Sequence, residues 1–196
     1  MKKLMGLLFV LSVAYAQIGV IYTDTALVRS AYVPVAAYTA GDIIRSTDTV
    51  FYSIKTGTGN RPSSGIIRHV IIETDTANPT AAGFIVRFFS FPQSDTTGTY
   101  AGTNSDTTGF NVLAAADNAA YTNSYHYFDK YIVGDVATTA QSYGGSTTGA
   151  TSINMTPNLY FNTNKGKLWI ALLANGTYTP KKGGTYKVKV VVERPR

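Results

Sequence analysis

The stretch Tyr186-Lys187-Val188-Lys189-Val190-Val191-Val192-Glu193 decides the fold class. Tyr186, Val188, Val190 and Val192 fall on one parity; Lys187, Lys189, Val191 and Glu193 fall on the other. Side chains alternate across a strand, so this spacing predicts one packed face and one wet face. The same period recurs upstream, punctuated by turn residues. Residues 167–173 read as a core strand carrying the single Trp, Trp169, and Leu159-Tyr160-Phe161 as a shorter strand. Residues 127–133 read as another. In residues 83–91, Phe84, Val86 and Phe88 face one way and Ile85, Phe89 and Phe91 the other, which predicts a central strand covered on both faces. Residues 65–73, with Ile66, Val70 and Ile72 on one side, are expected to be its hairpin partner. Residues 49–55 put Val50, Tyr52 and Ile54 on one face. Tyr32-Val33-Pro34-Val35 suits an edge strand, because proline cannot donate to a ladder. Residues 18–28 open the array as an extended segment.

Turn signals stand between these runs at Thr39-Ala40-Gly41-Asp42, Gly57 to Pro62, Asn78-Pro79, Asn175-Gly176 and Lys181-Lys182-Gly183-Gly184. About eight to ten strands at this spacing predict an all-β fold, an antiparallel β-sandwich or jelly roll. Helix is expected only as one turn near residues 114–118. Composition agrees: charged residues are 14% of the 196-residue chain, 14 residues are Tyr, and Glu occurs only as Glu73 and Glu193. Long surface helices draw on Glu, Lys, Ala and Leu, whereas Tyr, Val, Ile and Thr suit strands.

Lys2 and Lys3 precede an apolar run from Leu4 to Ala16, and Ala14-Tyr15-Ala16 stands before Gln17. That three-part layout predicts an export leader over residues 1–16, cleaved near Ala16, and a single β-sandwich domain over residues 17–196. The other reading of the run is a buried N-terminal strand. It is too short to span a bilayer comfortably, so membrane contact is expected only through this leader. Loss of Lys2 and Lys3 lowers the formal charge from +6 to +4.

The absence of cysteine excludes disulfides, thiolate metal sites and a thiol nucleophile. With only His69 and His126, a His-rich metal site is excluded as well. The aspartates at 24, 48, 75, 95 and 106 lie in Thr-Asp-Thr or Ser-Asp-Thr settings, where short polar side chains bond nearby backbone in turns. A glycosidase needs two carboxylates facing one cleft, and Glu73 and Glu193 sit in or at the ends of strands. Ser94-Asp95-Thr96-Thr97-Gly98 recurs as Ser105-Asp106-Thr107-Thr108-Gly109, eleven residues on. Its oxygens suit calcium, but the EF-hand spacing is absent, and a projecting loop is the simpler reading. No serine occupies a G-x-S-x-G elbow, and no G-K-[ST] follows Gly57-Thr58-Gly59. The chain is therefore expected to be no enzyme, with no catalytic residue, cofactor or metal.

Contact surfaces are the remaining candidates. Tyr121, Tyr125, Tyr127, Phe128 and Tyr131 form the densest aromatic run, and tyrosine is enriched at interfaces. Lys187 and Lys189 share one strand face within a basic C-terminal cluster of Lys181, Lys182, Arg194 and Arg196. Such a face meets an acidic partner or guards a sheet edge from aggregation. Tyr121, Tyr125, Tyr127, Tyr131, Lys187 and Lys189 are the interface candidates. The glycosylation acceptors Asn154-Met155-Thr156 and Asn175-Gly176-Thr177 carry little weight in a threonine-rich chain.

Ala36-Ala37-Tyr38-Thr39-Ala40-Gly41-Asp42-Ile43-Ile44 resembles the opening of small tailed-phage virion structural proteins of head-decoration or fibre type. The resemblance runs on through residues 64–72 and through Phe84 to Pro92. It continues at Asp117-Asn118-Ala119-Ala120-Tyr121 and at residues 168–176, in order, over most of residues 32–193. It implies a β-sandwich component of a virus particle with no catalytic residues. The expected function is a non-enzymatic, self-associating structural subunit located in the virion, decorating a capsid or forming a fibre. Its partners would be copies of itself and other proteins of the particle, not nucleic acid. The leader supports an alternative, a secreted subunit of an extracellular filament, with residues 17–28 as a donated strand. A secreted carbohydrate-binding module using the tyrosines is a further alternative.

Overall fold

The computed structural model describes residues 19–29, 37–44, 52–57, 63–74, 83–90, 120–121, 129–138, 151–163, 166–179 and 185–194. Ten strands run through them: β1 (Val20–Arg29), β2 (Ile43–Ile44), β3 (Tyr52–Lys55), β4 (Ser63–Thr74), β5 (Phe84–Phe89), β6 (Ile132–Ala137), β7 (Thr151–Met155), β8 (Leu159–Thr163), β9 (Lys167–Ala174) and β10 (Tyr186–Arg194). They form two five-stranded antiparallel sheets. The first has the order β1-β10-β4-β7, with β8 also on β4; the second has β2-β9-β5-β6, with β3 also on β9.

β2 and β3 share one edge of β9, and β7 and β8 share one edge of β4, so each pair fills a single strand position. Counted this way the chain has eight positions, ordered 1-8-3-6 in one sheet and 2-7-4-5 in the other. Position 1 pairs with 8, 2 with 7, 3 with 6 and 4 with 5. One long antiparallel ribbon is thus folded over on itself, which is the jelly roll.

The core lies between the sheets. β10 contributes Tyr186, Val188, Val190 and Val192, each no more than 3% exposed, as its alternation requires. Ile67, Val70 and Ile72 of β4 meet Phe84, Val86 and Phe88 of β5 and Leu168, Ile170 and Leu172 of β9 across the sandwich. Burying each such side chain contributes about 1.5–3 kcal/mol. At one end the Phe84 ring stands edge-on to Tyr178 at 5.7 Å and to Tyr186 at 5.5 Å, and Tyr38 lies 5.1 Å from Tyr178. Hydrogen bonds link the two sheets at the sides of the sandwich. Lys55 N–H of β3 donates to Asp24 Oδ2 of β1 at 2.8 Å, and the Ser90 hydroxyl donates to the Asn162 carbonyl of β8 at 2.6 Å.

β9, expected as a core strand, is buried on both faces through Trp169, Ala171 and Leu173; β5, expected to be covered on both faces, is so only in part, with Phe89 buried away from the core but Ile85 and Arg87 half-buried. The expected hairpin of β4 with β5 is not formed. β5 pairs with β6 and β9, and β4 pairs with β10, β7 and β8, so the two strongest strands pack face to face instead of edge to edge. The expected face of β4 also needs correction: Ile67, not Ile66, is buried beside Val70 and Ile72. The reason is a β-bulge, since Val191 pairs with His69 but Val192 with Ile67, leaving Arg68 as the extra residue. Of the expected strand at 127–133, Asp129–Tyr131 form a 3-10 turn, Ile132 and Val133 open β6, and residues 127 and 128 lie outside the described residues. β7 went unforeseen, because Thr151-Ser152-Ile153-Asn154-Met155 shows a single core residue, Ile153. Asn175-Gly176 turns as expected, with Gly176 at φ 126°, but joins no hairpin. The leader, the Pro34 strand, the Ser-Asp-Thr-Thr-Gly repeats and the expected helical turn at 114–118 lie outside the described residues.

Candidate interaction face

Tyr125 and Tyr127 lie outside the described residues. Tyr121 and Tyr131 are half-buried beside the second sheet. Lys187 is exposed and Lys189 half-buried on β10, on the outward face of the first sheet, where they alternate with the core valines. The structure therefore sets the described tyrosines and the two lysines on opposite sides of the sandwich, and they do not form one surface.

Around Tyr121 the groups are tied to one another. Arg87 of β5 donates from Nε and Nη2 to the two carboxylate oxygens of Asp135 of β6, both at 2.8 Å. Its guanidinium lies over the Tyr121 ring, 5.1 Å from the centroid. The Tyr121 hydroxyl donates to Asp129 Oδ1 at 3.1 Å. Burial, then the Asp129 carboxylate, push the Tyr121 phenol well above its usual range, and the hydrogen bond to Asp135 raises Arg87 further. An unfolded tyrosine ionises near pH 10, and the folded one resists ionising there. The unfolded chain then holds fewer protons, so stability is full below about pH 10 and falls as pH rises above it. Urea midpoints at pH 9 and pH 11 should therefore drop more for the native protein than for Tyr121→Phe, which removes that slope.

The two sheets treat their outer faces differently. On the second sheet Ile43, Phe89, Trp169, Ala171 and Leu173 are all at or below 2% exposure. On the first sheet every described outward side chain is exposed or half-buried. One row crosses four strands in register: Ile21 of β1, Glu193 of β10, Ile66 of β4 and Tyr160 of β8. Ile21 is 57% and Tyr160 74% exposed, the two large apolar side chains most open to solvent among the described residues. An open groove of about 320 Å³ lies in this end of the face, lined by Gly19, Ser64, Ile66, Tyr160 and Glu193, with Gly65 and Phe161 beneath.

Backbone irregularity concentrates beside the groove. Arg68 is the bulge residue of β4 against β10. On the other edge of β4, Val70 pairs with Met155 and Ile67 with Leu159, so β7 and β8 hold one residue more than β4 there. Asn158, in that interruption, has φ 51°, a left-handed conformation uncommon outside glycine. Arg68 bridges the two irregularities: Nε donates to Glu193 Oε2 at 2.5 Å and Nη1 to Asn158 Oδ1 at 2.8 Å. None of Ile21, Arg68, Asn158 and Tyr160 stands out as a site residue in the sequence, and Glu193 enters it only as a strand carboxylate set aside for glycosidase chemistry. Two isolated apolar residues 139 positions apart, joined only through β10 and β4, leave no local signal.

Several other polar groups have structural partners. Asp42 Oδ2 accepts from the N–H and hydroxyl of Thr39, closing the Gly41 turn. His69 Nδ1 lies 3.3 Å from Asn154 Oδ1 on the first sheet. Asn175 donates its amide to the Thr138 carbonyl at 2.7 Å. Among the described residues no three of His, Asp and Glu gather where a cation would sit.

No protein-family profile matches the chain, and no curated protein matches it. Among solved structures it is similar to dimeric latent PorU from Porphyromonas gingivalis, at 12% identity and a TM-score of 0.33; the match takes in 94% of this chain but only 14% of PorU. It is similar to the carbohydrate-binding module CBM6cm-2 of Cellvibrio mixtus lichenase 5A, solved with cellotriose, at 15% identity and a TM-score of 0.29 over 83% of this chain and 98% of that one. It is also similar to the Mud crab tombus-like virus structure, at 11% identity and a TM-score of 0.28 over 91% of this chain and 90% of that one. Scores this low carry no function across.

Proposed function

We propose that the protein is a non-enzymatic structural subunit that associates with copies of itself through the open face of its first sheet. The observation that carries this reading is the inequality of the two outer faces: the centre of one is buried at Phe89, Trp169, Ala171 and Leu173, whereas the other displays Ile21 and Tyr160 to solvent beside half-buried Ile66. Ile21 and Ile66 flank Glu193 in that row and Tyr160 adjoins Ile66; exposed apolar side chains gathered on one face mark contact sites. The resemblance of residues 36–44 and the later segments makes a virion exterior of tailed-phage type the assembly favoured here. Partners are then other copies and other proteins of the particle; no nucleic-acid role is proposed.

The leader-like residues 1–16 favour a second location, an extracellular filament. Strand donation by residues 17–28 would require a domain swap, since β1 already pairs with β10 of its own chain over nearly its whole length. Intact mass of purified particles separates the two: a chain beginning at Met1 supports the virion, one beginning at Gln17 the export route.

Self-association is tested by sedimentation velocity on the native protein and on Ile21→Asp. Ile21 is exposed, so the substitution leaves the core intact, but it sets a carboxylate opposite Glu193 within a strand and should cost about 1–2 kcal/mol of folding stability. The native protein is expected to sediment as an oligomer, and Ile21→Asp to weaken it roughly tenfold or more. A native protein that stays monomeric at every concentration contradicts the proposal, as does an oligomer indifferent to Ile21→Asp.

A further inference from the structure

We infer that the groove beside Tyr160 is a binding site for a neutral saccharide, a function beyond self-assembly that competes with a second copy for the same face. Three features converge there. The first is the Tyr160 ring, 74% exposed on one wall of a groove of about 320 Å³. That volume is at the lower end for small-ligand sites, enough for one pyranose ring with its neighbours in solvent. An aromatic face in such a place offers a platform to an amphipathic ring, and the C–H face of a sugar is one.

The second is a fixed set of polar groups opposite the ring. Glu193 Oε2 is held by Arg68, which Asn158 holds in turn. A Cβ placed on Gly19 would lie 2.6 Å from Glu193 Oε1, so the carboxylate reaches toward Gly19, inside the groove. A carboxylate has about four acceptor positions, and the ion pair leaves some of them for sugar hydroxyls. The exposed Ser64 hydroxyl is a further donor or acceptor on the same lining. Arg68 is a positioning residue here: it acts through Glu193.

The third is the backbone. The β4–β10 bulge at Arg68 meets the break between β7 and β8, where Asn158 takes a left-handed conformation. Bulges re-aim side chains at sites, and a left-handed non-glycine residue is a strain that persists where the surroundings impose it. The charges select the ligand. Glu193 and Arg68 cancel, so the groove favours a hydroxyl-rich neutral ring over a phosphate or an acidic sugar.

The test is a panel of neutral and anionic oligosaccharides screened against the full-length protein, with the best binder measured by titration calorimetry. A single open subsite should bind with Kd on the order of 0.1–1 mM. Tyr160→Ala should lose at least about tenfold, Tyr160→Phe should stay within about threefold, and Ile21→Asp, which frees the face of a second copy, should bind no more weakly than the native protein. The last arm separates the two readings: a saccharide site stands there even if the native protein proves monomeric. Circular dichroism and urea midpoints on each variant confirm that the fold is intact. The inference is overturned if no neutral glycan binds at about 10 mM, if only anionic glycans bind, or if folded Tyr160→Ala binds like the native protein.

Discussion

Phe84→Ala is expected to lower the free energy of unfolding by about 3–5 kcal/mol. Phe84 is fully buried at the first position of β5 and stands edge-on to Tyr178 and Tyr186. Tyr186 belongs to the first sheet and Phe84 to the second, so this ring ties the two sheets at one end. The loss combines transfer of the ring to water, the cavity left behind and two aromatic contacts of about 0.5–1.5 kcal/mol each. Residues around the cavity are themselves held by cross-strand pairing, so collapse into it is limited. Against a typical total of 5–15 kcal/mol, much of the stability disappears. Urea denaturation followed through Trp169, the single tryptophan and 1% exposed, reads the change. Phe84→Leu should lose much less, and a loss under about 1 kcal/mol for Phe84→Ala would contradict this packing.

Gly65→Ala is the second large effect, and its cause is the opposite. A Cβ on Gly65 would lie 2.3 Å from the backbone oxygen of Glu193 and 3.1 Å from the Phe161 ring. The oxygen belongs to the neighbouring strand and cannot swing aside as a side-chain tip would. Insertion of one methyl therefore forces β4 and β10 apart just where their ladder ends at Ile66 and Glu193. Overpacking of this kind costs about 1–3 kcal/mol. Phe161 covers the glycine from β8, a cross-strand aromatic over a gap in the side-chain layer. Ser64→Ala, one residue away and exposed, should be close to neutral, and equal losses for the two variants would refute the account.

The sandwich was legible where one face is wet. β10 shows it best: Lys187 and Glu193 mark the outside and the valines mark the inside. β9 was legible as a core strand because nearly every residue of it is apolar; β5 was legible as a central strand, though Arg87 leaves its outer face only partly covered. Strand partners were not legible. Neighbours in sequence usually pair, and that expectation put β4 and β5 in one hairpin, whereas the jelly roll sends them to opposite sheets. The bulge at Arg68 was hidden because residues 66 and 67 are both isoleucine, so either parity fits the core. The candidate face was less legible still. Tyr121 and Tyr131 drew notice as part of a dense run, and the structure ties Tyr121 to Arg87 and Asp129. Tyr160 stood alone in a short strand, and only the pairing of four strands brings it into a row with Ile66, Glu193 and Ile21.

An electron cryomicroscopy map of the native protein in its assembled form tests the central claim most directly. The account predicts contacts between copies that cover the outward face of the first sheet, with Ile21 buried at a subunit boundary. A map in which that face looks into solvent while copies meet elsewhere would contradict it.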